Sequence, residues 1–337
     1  MTTAPAPVGA PAPALDPRPG AVAPPSRRPE PGLLLRFAGP LQSWGEHSHF
    51  NERDTAAFPT RSGVIGLLAA ALGRERGAAV DDLAAVSLTV RIDRPGVLLR
   101  DLHTVGGGLP AKATVTTAEG KKRPGDTGTL LTHRMYLADA VFTAAVAFPD
   151  DLDDPDHPDR LDRPDAPGGL ARECARALVD PRWPLFLGRR SCPPEGPLLL
   201  AHTADTLAHL VALPLAAHPR NAPASAVEFV SDRPLDRLPV PPIPEASDEG
   251  DGGGAAGAEF HGGPQDHDDG SRPVGEITDD PVSFHPRSRS YRARPLYRRR
   301  ALLSAQPTLG AEHLDALHSY LIAHRLAPFG DALEGSR

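Results

Sequence analysis

The chain is 337 residues long, with 40 prolines, 5% aromatic residues and a formal charge of −7. That length suits one large domain or two ordinary ones; no apolar run approaches the ~18 residues of a membrane span, and two isolated cysteines, Cys174 and Cys192, exclude a disulfide framework and a paired metal-ligand spacing. The charge is unevenly held: residues 150–165 carry −6 and residues 245–270 carry −8, which leaves +7 on the rest, a basic body compatible with a polyanion.

Residues 1–32 are rich in Ala and Pro and lack the charged start and apolar centre of an export signal. They read as a disordered tail, and the cytoplasm as the location. Leu33–Phe37 is a short apolar run ended by Gly39-Pro40, the pattern of a buried first strand. A long loop runs from Gln42 to Pro59. Thr60-Arg-Ser-Gly then opens a helix reaching about Leu72, with Thr60 or Ser62 as N-cap and Gly73 as the stop. Val86, Leu88, Val90 and Ile92 alternate as in a half-buried strand.

Residues 97–134 carry Thr-rich flanks, Gly106–Gly108 and the cations Lys112, Lys121, Lys122 and Arg123, which predicts an extended hairpin projecting from the body. Residues 136–148 return to strand character, Gly169–Val179 reads as a second helix, and Pro197–Thr203 as a strand. The order is βαββαβ, an α+β, ferredoxin-like (RRM-like) domain over residues 33–224. Residues 225–304 read as a small β-rich region around a disordered spacer at about 246–280. Residues 305–337 read as a C-terminal helix and tail, with Leu314, Leu317, Leu321, Ile322 and Leu326 at helical spacing.

Phe186-Leu-Gly-Arg-Arg-Ser-Cys-Pro-Pro194 has the chemistry of a phosphate-facing turn. Gly188 permits unusual dihedrals and a close approach, and Arg189 and Arg190 offer planar donor forks. Solvated or salt-bridged arginines are the plain alternative. Gln42, Ser43 and Trp44 supply polar groups and a stacking face for an unpaired base, against the alternative of Trp44 packed as core. Arg61 and Ser62 sit at a helix mouth, where free N–H groups favour an anion; Arg53 in the preceding loop is a weaker candidate of the same type. His103, Lys112, Lys121 and Lys122 are the candidate polar contacts on the hairpin, against the alternative of a solvated loop with no role. The segment from Arg287 to Arg300 interleaves seven arginines with Tyr291 and Tyr297, and reads first as a strand edge blunted by charge. The 14 histidines have no Cys or carboxylate at metal-set spacing, and no nucleotide-binding glycine loop or nucleophile elbow appears.

Leu35-Arg-Phe-Ala-Gly-Pro-Leu-Gln-Ser-Trp-Gly45, Phe58-Pro-Thr-Arg-Ser-Gly-Val-Ile-Gly-Leu-Leu68, Asp101-Leu-His-Thr-Val105 and the Gly188–Pro194 turn occur in that order, with Tyr136–Phe142 as a third core strand. Together they resemble the CasD (Cas-five) family, over roughly residues 33–245. The resemblance implies a ferredoxin-like domain with a thumb-like hairpin at about 97–134 and a small C-terminal β part. It implies a non-catalytic, cofactor-free subunit of the type I-E CRISPR Cascade complex, in antiviral defence. That subunit would bind the 5′ handle of crRNA, cap the filament of CasC backbone subunits and help seat the CasA large subunit. It would meet target DNA only indirectly, beside other Cascade subunits. RNA would not lie flat on the sheet, since the RRM-type aromatics are missing. The competing function is a metal-independent endoribonuclease on precursor crRNA, with His47, His49, His103 and Lys112 as its acid–base groups.

Overall fold

The computed structural model describes residues 28–46, 48–49, 51–106, 110, 113, 121–122, 129–148, 169–216, 226–240, 269–285, 288–303 and 307–326. The predicted tail up to residue 27, His47, Lys112, Arg123, the acidic stretch 150–165 and spacer residues 246–268 lie outside them. The elements in chain order are β1 (Gly32–Ala38), β2 (Leu41–Gln42), β3 (Ser48–His49), β4 (Glu52–Arg53), α1 (Arg61–Ala71), a 3₁₀ turn at Leu83–Ala85, β5 (Ser87–Arg94), β6 (Val97–Val105), β7 (Leu130–Ala138), β8 (Val141–Ala147), α2 (Gly169–Val179), β9 (Leu199–Thr203), α3 (Thr206–Ala212), β10 (Leu215–Ala216), β11 (Val227–Ser231), β12 (Gly275–Ser283), β13 (Ser290–Ala301), β14 (Pro307–Thr308) and α4 (Gly310–Ala323).

Seven strands form the main sheet, in the order β12-β13-β11-β5-β8-β1-β9, with every neighbouring pair antiparallel. All seven residues of β1 are buried, since both faces of the sheet are covered. Leu33, Leu35 and Phe37 pack with α1 and α2, whereas Leu34 joins Leu207, Leu210, Phe229 and Leu317 on the opposite side under α3 and α4. A continuous apolar run is what a doubly covered strand requires. Arg91, fully buried on β5, donates to the carbonyls of Leu210 (2.6 Å), Leu213 (2.8 Å) and Pro214 (2.9 Å) and pairs with Asp93 at 2.6 Å. It thereby satisfies carbonyls that the end of α3 would leave bare. Arg237 does a similar service below the sheet, pairing with Glu30 and donating to Thr89 Oγ1 at 2.9 Å.

A second, smaller sheet centres on β7. β6 runs along one side of it in register from Val97↔Ala138 to Val105↔Leu130; β2 and β4 share the other side, and β3 follows β4. β6 and β7, at the two ends of the segment predicted as a hairpin, pair with one another, and the segment read as a loop from Gln42 to Pro59 holds the end of β2 together with β3 and β4. The predicted separate β-rich region is instead continuous with the main sheet. Val227–Ser231 pairs with the outer edge of β5, and β13 and β12 extend that edge, which would otherwise be an open template for pairing. The short helix α3 carries no long periodic pattern and was not expected from the sequence.

Among the described residues no helix is long and apolar enough to cross a membrane.

Candidate nucleic-acid interface

The local geometry begins with α1. Its C-terminus closes as the sequence predicts: Gly73 adopts φ +75°, its N–H bonds Ala70 O at 3.1 Å, and Arg74 N–H bonds Ala69 O at 2.9 Å. Its N-terminus does not follow the expectation. Thr60 makes no side-chain cap. The cap is the Asp279 carboxylate on β12, which accepts from Arg61 N–H at 2.7 Å and from the Arg294 guanidinium at 2.6 and 2.9 Å. The positive helix mouth thus already holds an anion.

Arg61 is consequently no phosphate ligand. Its side chain is 8% exposed and is spent on Asp232, on Asp280 at 2.9 Å and on Ala84 O at 2.6 Å. Four arginines of the segment from Arg287 to Arg300 are spent as well. Arg292 pairs with Asp280 (3.0 Å), Arg294 with Asp279, and Arg298 with Glu228 (2.8 Å), and Arg299 donates to Leu235 O at 2.8 Å. Its strand, β13, lies inside the sheet rather than at an edge.

The Gln42–Trp44 loop is also corrected. Gln42 is fully buried; its amide donates to Phe37 O (3.1 Å) and Ala140 O (2.8 Å) and accepts from the Trp44 indole N–H at 3.0 Å. Trp44 is 1% exposed, edge-on to Phe37, with ring centroids 5.3 Å apart. Ser43 is buried and donates to Met135 O at 3.3 Å. These buried side chains hold the loop, and Ser43 and Trp44 form part of the wall of the cleft beside it.

What they hold is the Gly188–Arg190 turn. Ser43 N–H bonds Leu187 O at 3.0 Å, Glu195 N–H bonds Ala38 O at 2.7 Å, and Leu187 N–H closes the turn on Cys192 O at 2.8 Å. Gly188 sits at φ +92°, and a Cβ there would lie 1.7 Å from Ser43 O, so only glycine fits. Arg189 is half-buried. It donates to Met135 O (2.9 Å), Arg53 O (3.0 Å) and Asp54 O (3.2 Å) and lies 4.7 Å over the Tyr136 ring. Arg190 projects outward, exposed, with no ion pair or hydrogen bond among the described residues. The two adjacent arginines therefore divide the work: Arg189 staples the turn to β4 and β7, and Arg190 is presented. Cys192, below the turn, is fully buried, and burial pushes its thiol pKa up.

Arg190 opens into a cleft of about 1070 Å³ between α1, the turn and the β12–β13 hairpin. Among the described residues six arginines line it, Arg53, Arg74, Arg76, Arg189, Arg190 and Arg289, against one carboxylate, Glu75. Arg74 is paired with Asp82. Arg53, Arg76, Arg190 and Arg289 are exposed, and their side chains have no partner among the described residues. Ser62, half-buried, also lines the cleft. His103 lies apart on β6, exposed and 3.5 Å from Asp101. The cleft thus gathers Arg53, Ser62, Arg189 and Arg190, together with the buried Ser43 and Trp44 in its wall, and leaves out Gln42, Arg61 and His103. It also recruits Arg76 and Trp183, which no motif marks, and Arg289 and Tyr291, marked only by the basic–aromatic composition of their segment. Among the described residues no cluster of three or more His, Cys, Asp or Glu could hold a metal ion.

A basic, aromatic-bordered cleft beside an antiparallel sheet is compatible with a polyanion, and comparison with known proteins gives the family. Residues 32–297 match the family model described as CRISPR-associated protein (Cas_Cas5). A curated Escherichia coli (strain K12) protein, "CRISPR system Cascade subunit CasD", is 36% identical over 183 residues, which span 50% of this chain and 69% of that protein. A chain of a solved "CRISPR RNA-guided surveillance complex" superposes with TM-score 0.63 at 35% identity, covering 86% of this chain and 99% of that one. The chain belongs to the Cas5 (CasD) family of CRISPR-associated proteins.

Proposed function

We propose that this protein is a non-catalytic subunit of a type I-E Cascade complex, in the cytoplasm, that grips the 5′ handle of crRNA in the arginine cleft. The observation that carries the reading is the set of four unpartnered guanidiniums facing one cleft with a single carboxylate. Elsewhere in the fold Arg61 at the start of α1 and Arg292, Arg294 and Arg298 on β13 are matched to aspartates and glutamates. Cations left unmatched inside a concave surface fit an external polyanion. Arg190 and Arg53 take phosphates, Ser62 adds a donor, and Arg189 positions the turn. The order β1-α1-β5-β8-α2-β9, with spatial order β5-β8-β1-β9, supports a ferredoxin-like core. α3 and α4 cover the face an RRM would offer to RNA, which directs RNA to the cleft instead. The β6–β7 hairpin is the thumb, with His103 and Lys112 as its RNA contacts. CasC and CasA subunits are the neighbours, and capping of the CasC filament is the assembly role.

The test is co-purification with the other Cascade subunits and sequencing of the RNA retained. Arg190→Glu combined with Arg53→Glu should strip crRNA from the assembly while the monomer melts as before. Full retention of handle-bearing RNA by that variant would refute the assignment.

A further inference from the structure

The second sheet ends on a strand whose outer side pairs with nothing. Among the described residues β6 (Val97–Val105) is bonded only to β7, one residue to one, with no register shift. It is nine residues long, contains neither proline nor lysine, and exposes seven of its residues. Val97 is 67% exposed, Leu98 62% and Leu102 60%. Such an edge templates pairing with another chain unless it is short, bulged, or interrupted by proline or lysine. The other described edges use those devices. β12, at one end of the main sheet, contains Pro281 and shifts register twice against β13. β9, at the other end, has five residues and slips against β1 at Leu34–Leu35. β2 and β3 have two residues each.

Side chains along β6 alternate between the two faces of this sheet. Leu98, Arg100 and Leu102 share one face with Leu131 of β7, itself 54% exposed; Val97, Leu99, Asp101 and His103 share the other. Asp101 and His103 stand 3.5 Å apart. Their spacing is self-complementary. A twofold axis perpendicular to a sheet keeps the like faces of two copies together and sets residues of equal parity opposite each other. An axis through Arg100 opposes two guanidiniums, and one through Asp101 opposes two carboxylates; like charges directly opposite are destabilising. An axis through Leu102 sets Leu102 against Leu102. It also sets Asp101 against His103 twice, Leu99 against Val105 twice and Arg100 beside Thr104 twice.

We infer that β6 is a self-association edge, through which two copies of the free subunit join antiparallel about Leu102. One sheet then runs from β7 of one copy through both β6 strands to β7 of the other. The contact is isologous and closes at two copies. A second copy is the occupant because β6 itself supplies, in reverse, the order Leu99, Asp101, His103, Val105 that its own edge complements. The inference is independent of the RNA reading of the cleft. It adds that the hairpin proposed as the thumb is withheld from other partners while the dimer lasts.

The full chain is sedimented over a wide concentration range, and its mass should rise from one chain towards two. Leu102→Lys should remain monomeric at every concentration and melt as the parent does. Introduced cysteines read the register, since the native Cys174 and Cys192 are fully buried. Under mild oxidation Leu102→Cys should form a covalent dimer, because opposed Cα atoms about 4.5–5.5 Å apart lie within disulfide reach. Arg100→Cys lies on the same face but about 14 Å from its counterpart, and should not crosslink. A parent that stays monomeric throughout, a dimer that persists in Leu102→Lys, or crosslinking of Arg100→Cys as fast as Leu102→Cys overturns the inference. So does a monomeric parent whose β6 amides gain protection from hydrogen exchange only when other Cascade subunits are added, which would assign the edge to one of them.

Discussion

Arg61 and Arg190 look alike in the sequence, and the structure assigns them opposite work, so a paired perturbation separates the two. In Arg61→Ala, Asp232 and Asp280 lose a buried guanidinium and Ala84 O loses a donor. Breaking a buried ion pair by removing one partner costs about 3–5 kcal/mol. Asp232 still accepts from Leu88 N–H (2.9 Å) and Ser87 Oγ (3.1 Å), and Asp280 keeps Arg292. The lower end, about 3 kcal/mol, is therefore expected, or roughly 6–10 °C in melting temperature for a chain of this size. Arg190→Gln removes no intramolecular partner and should melt within about 0.5 kcal/mol of the parent. RNA affinity gives the mirror image. Loss of one phosphate contact to a single strand lowers the slope of log K against log salt by about 0.7, which Arg190→Gln should show and the folded fraction of Arg61→Ala should not. The assays are urea denaturation and fluorescence-anisotropy titrations at several salt concentrations. An Arg61→Ala protein of parental stability whose salt slope has fallen would overturn the division of roles.

Three further outcomes follow from the same geometry. Gly188→Ala should cost about 2–3 kcal/mol, from a disfavoured left-handed backbone and loss of the Ser43–Leu187 hydrogen bond, and should weaken RNA binding through displacement of Arg190; unchanged melting and binding would contradict the tight approach to Ser43 O. Burial, and then the nearby Arg36, Arg91 and Arg94, lower the pKa of His313 from 6.5 to about 4. The folded state therefore binds this proton less readily than the unfolded chain, so stability is full above pH 6.5 and declines as pH falls towards 4, and His313→Gln should flatten that decline in pH-dependent melts. Burial pushes the Cys174 thiol up to about 12, with Glu173 adding to the shift, so iodoacetamide at pH 8 should label neither Cys174 nor the fully buried Cys192 until the protein is denatured; rapid labelling of the native chain would contradict their placement.

Much of the fold is legible in local pattern. The Leu33–Phe37 run, the Thr60–Gly73 helix, the Val86–Ile92 alternation and the Gly169–Val179 helix each become the element predicted, since a single segment carries the whole signal. The site is legible only in part, for reasons that concern partners. Gly188, with two arginines after it, marks the turn correctly, because the glycine requirement is local. Which arginine faces outward depends on three carbonyls contributed by β4, β7 and the residue after β4, and no spacing in the turn encodes that. Arg61 misleads for the same reason: a cation at a helix mouth looks free until Asp232, Asp279 and Asp280 are brought to it by strands late in the chain. Trp44 misleads because the glutamine that satisfies its indole also reads as a ready RNA donor. Trp183 and Arg76 carry no motif and come to line one cleft only when α2 and the β12–β13 hairpin pack against α1.

The carboxylate that caps α1 lies 218 residues beyond the helix it completes. During synthesis on the ribosome, α1 emerges early and waits with its first turn uncapped until β12 has left the exit tunnel. The cleft whose floor is α1 therefore matures only near the end of translation, and nascent chains halted before Asp279 should be poor at capturing RNA. Such a delay would keep half-made subunits from engaging the RNA that the proposed function assigns to finished ones.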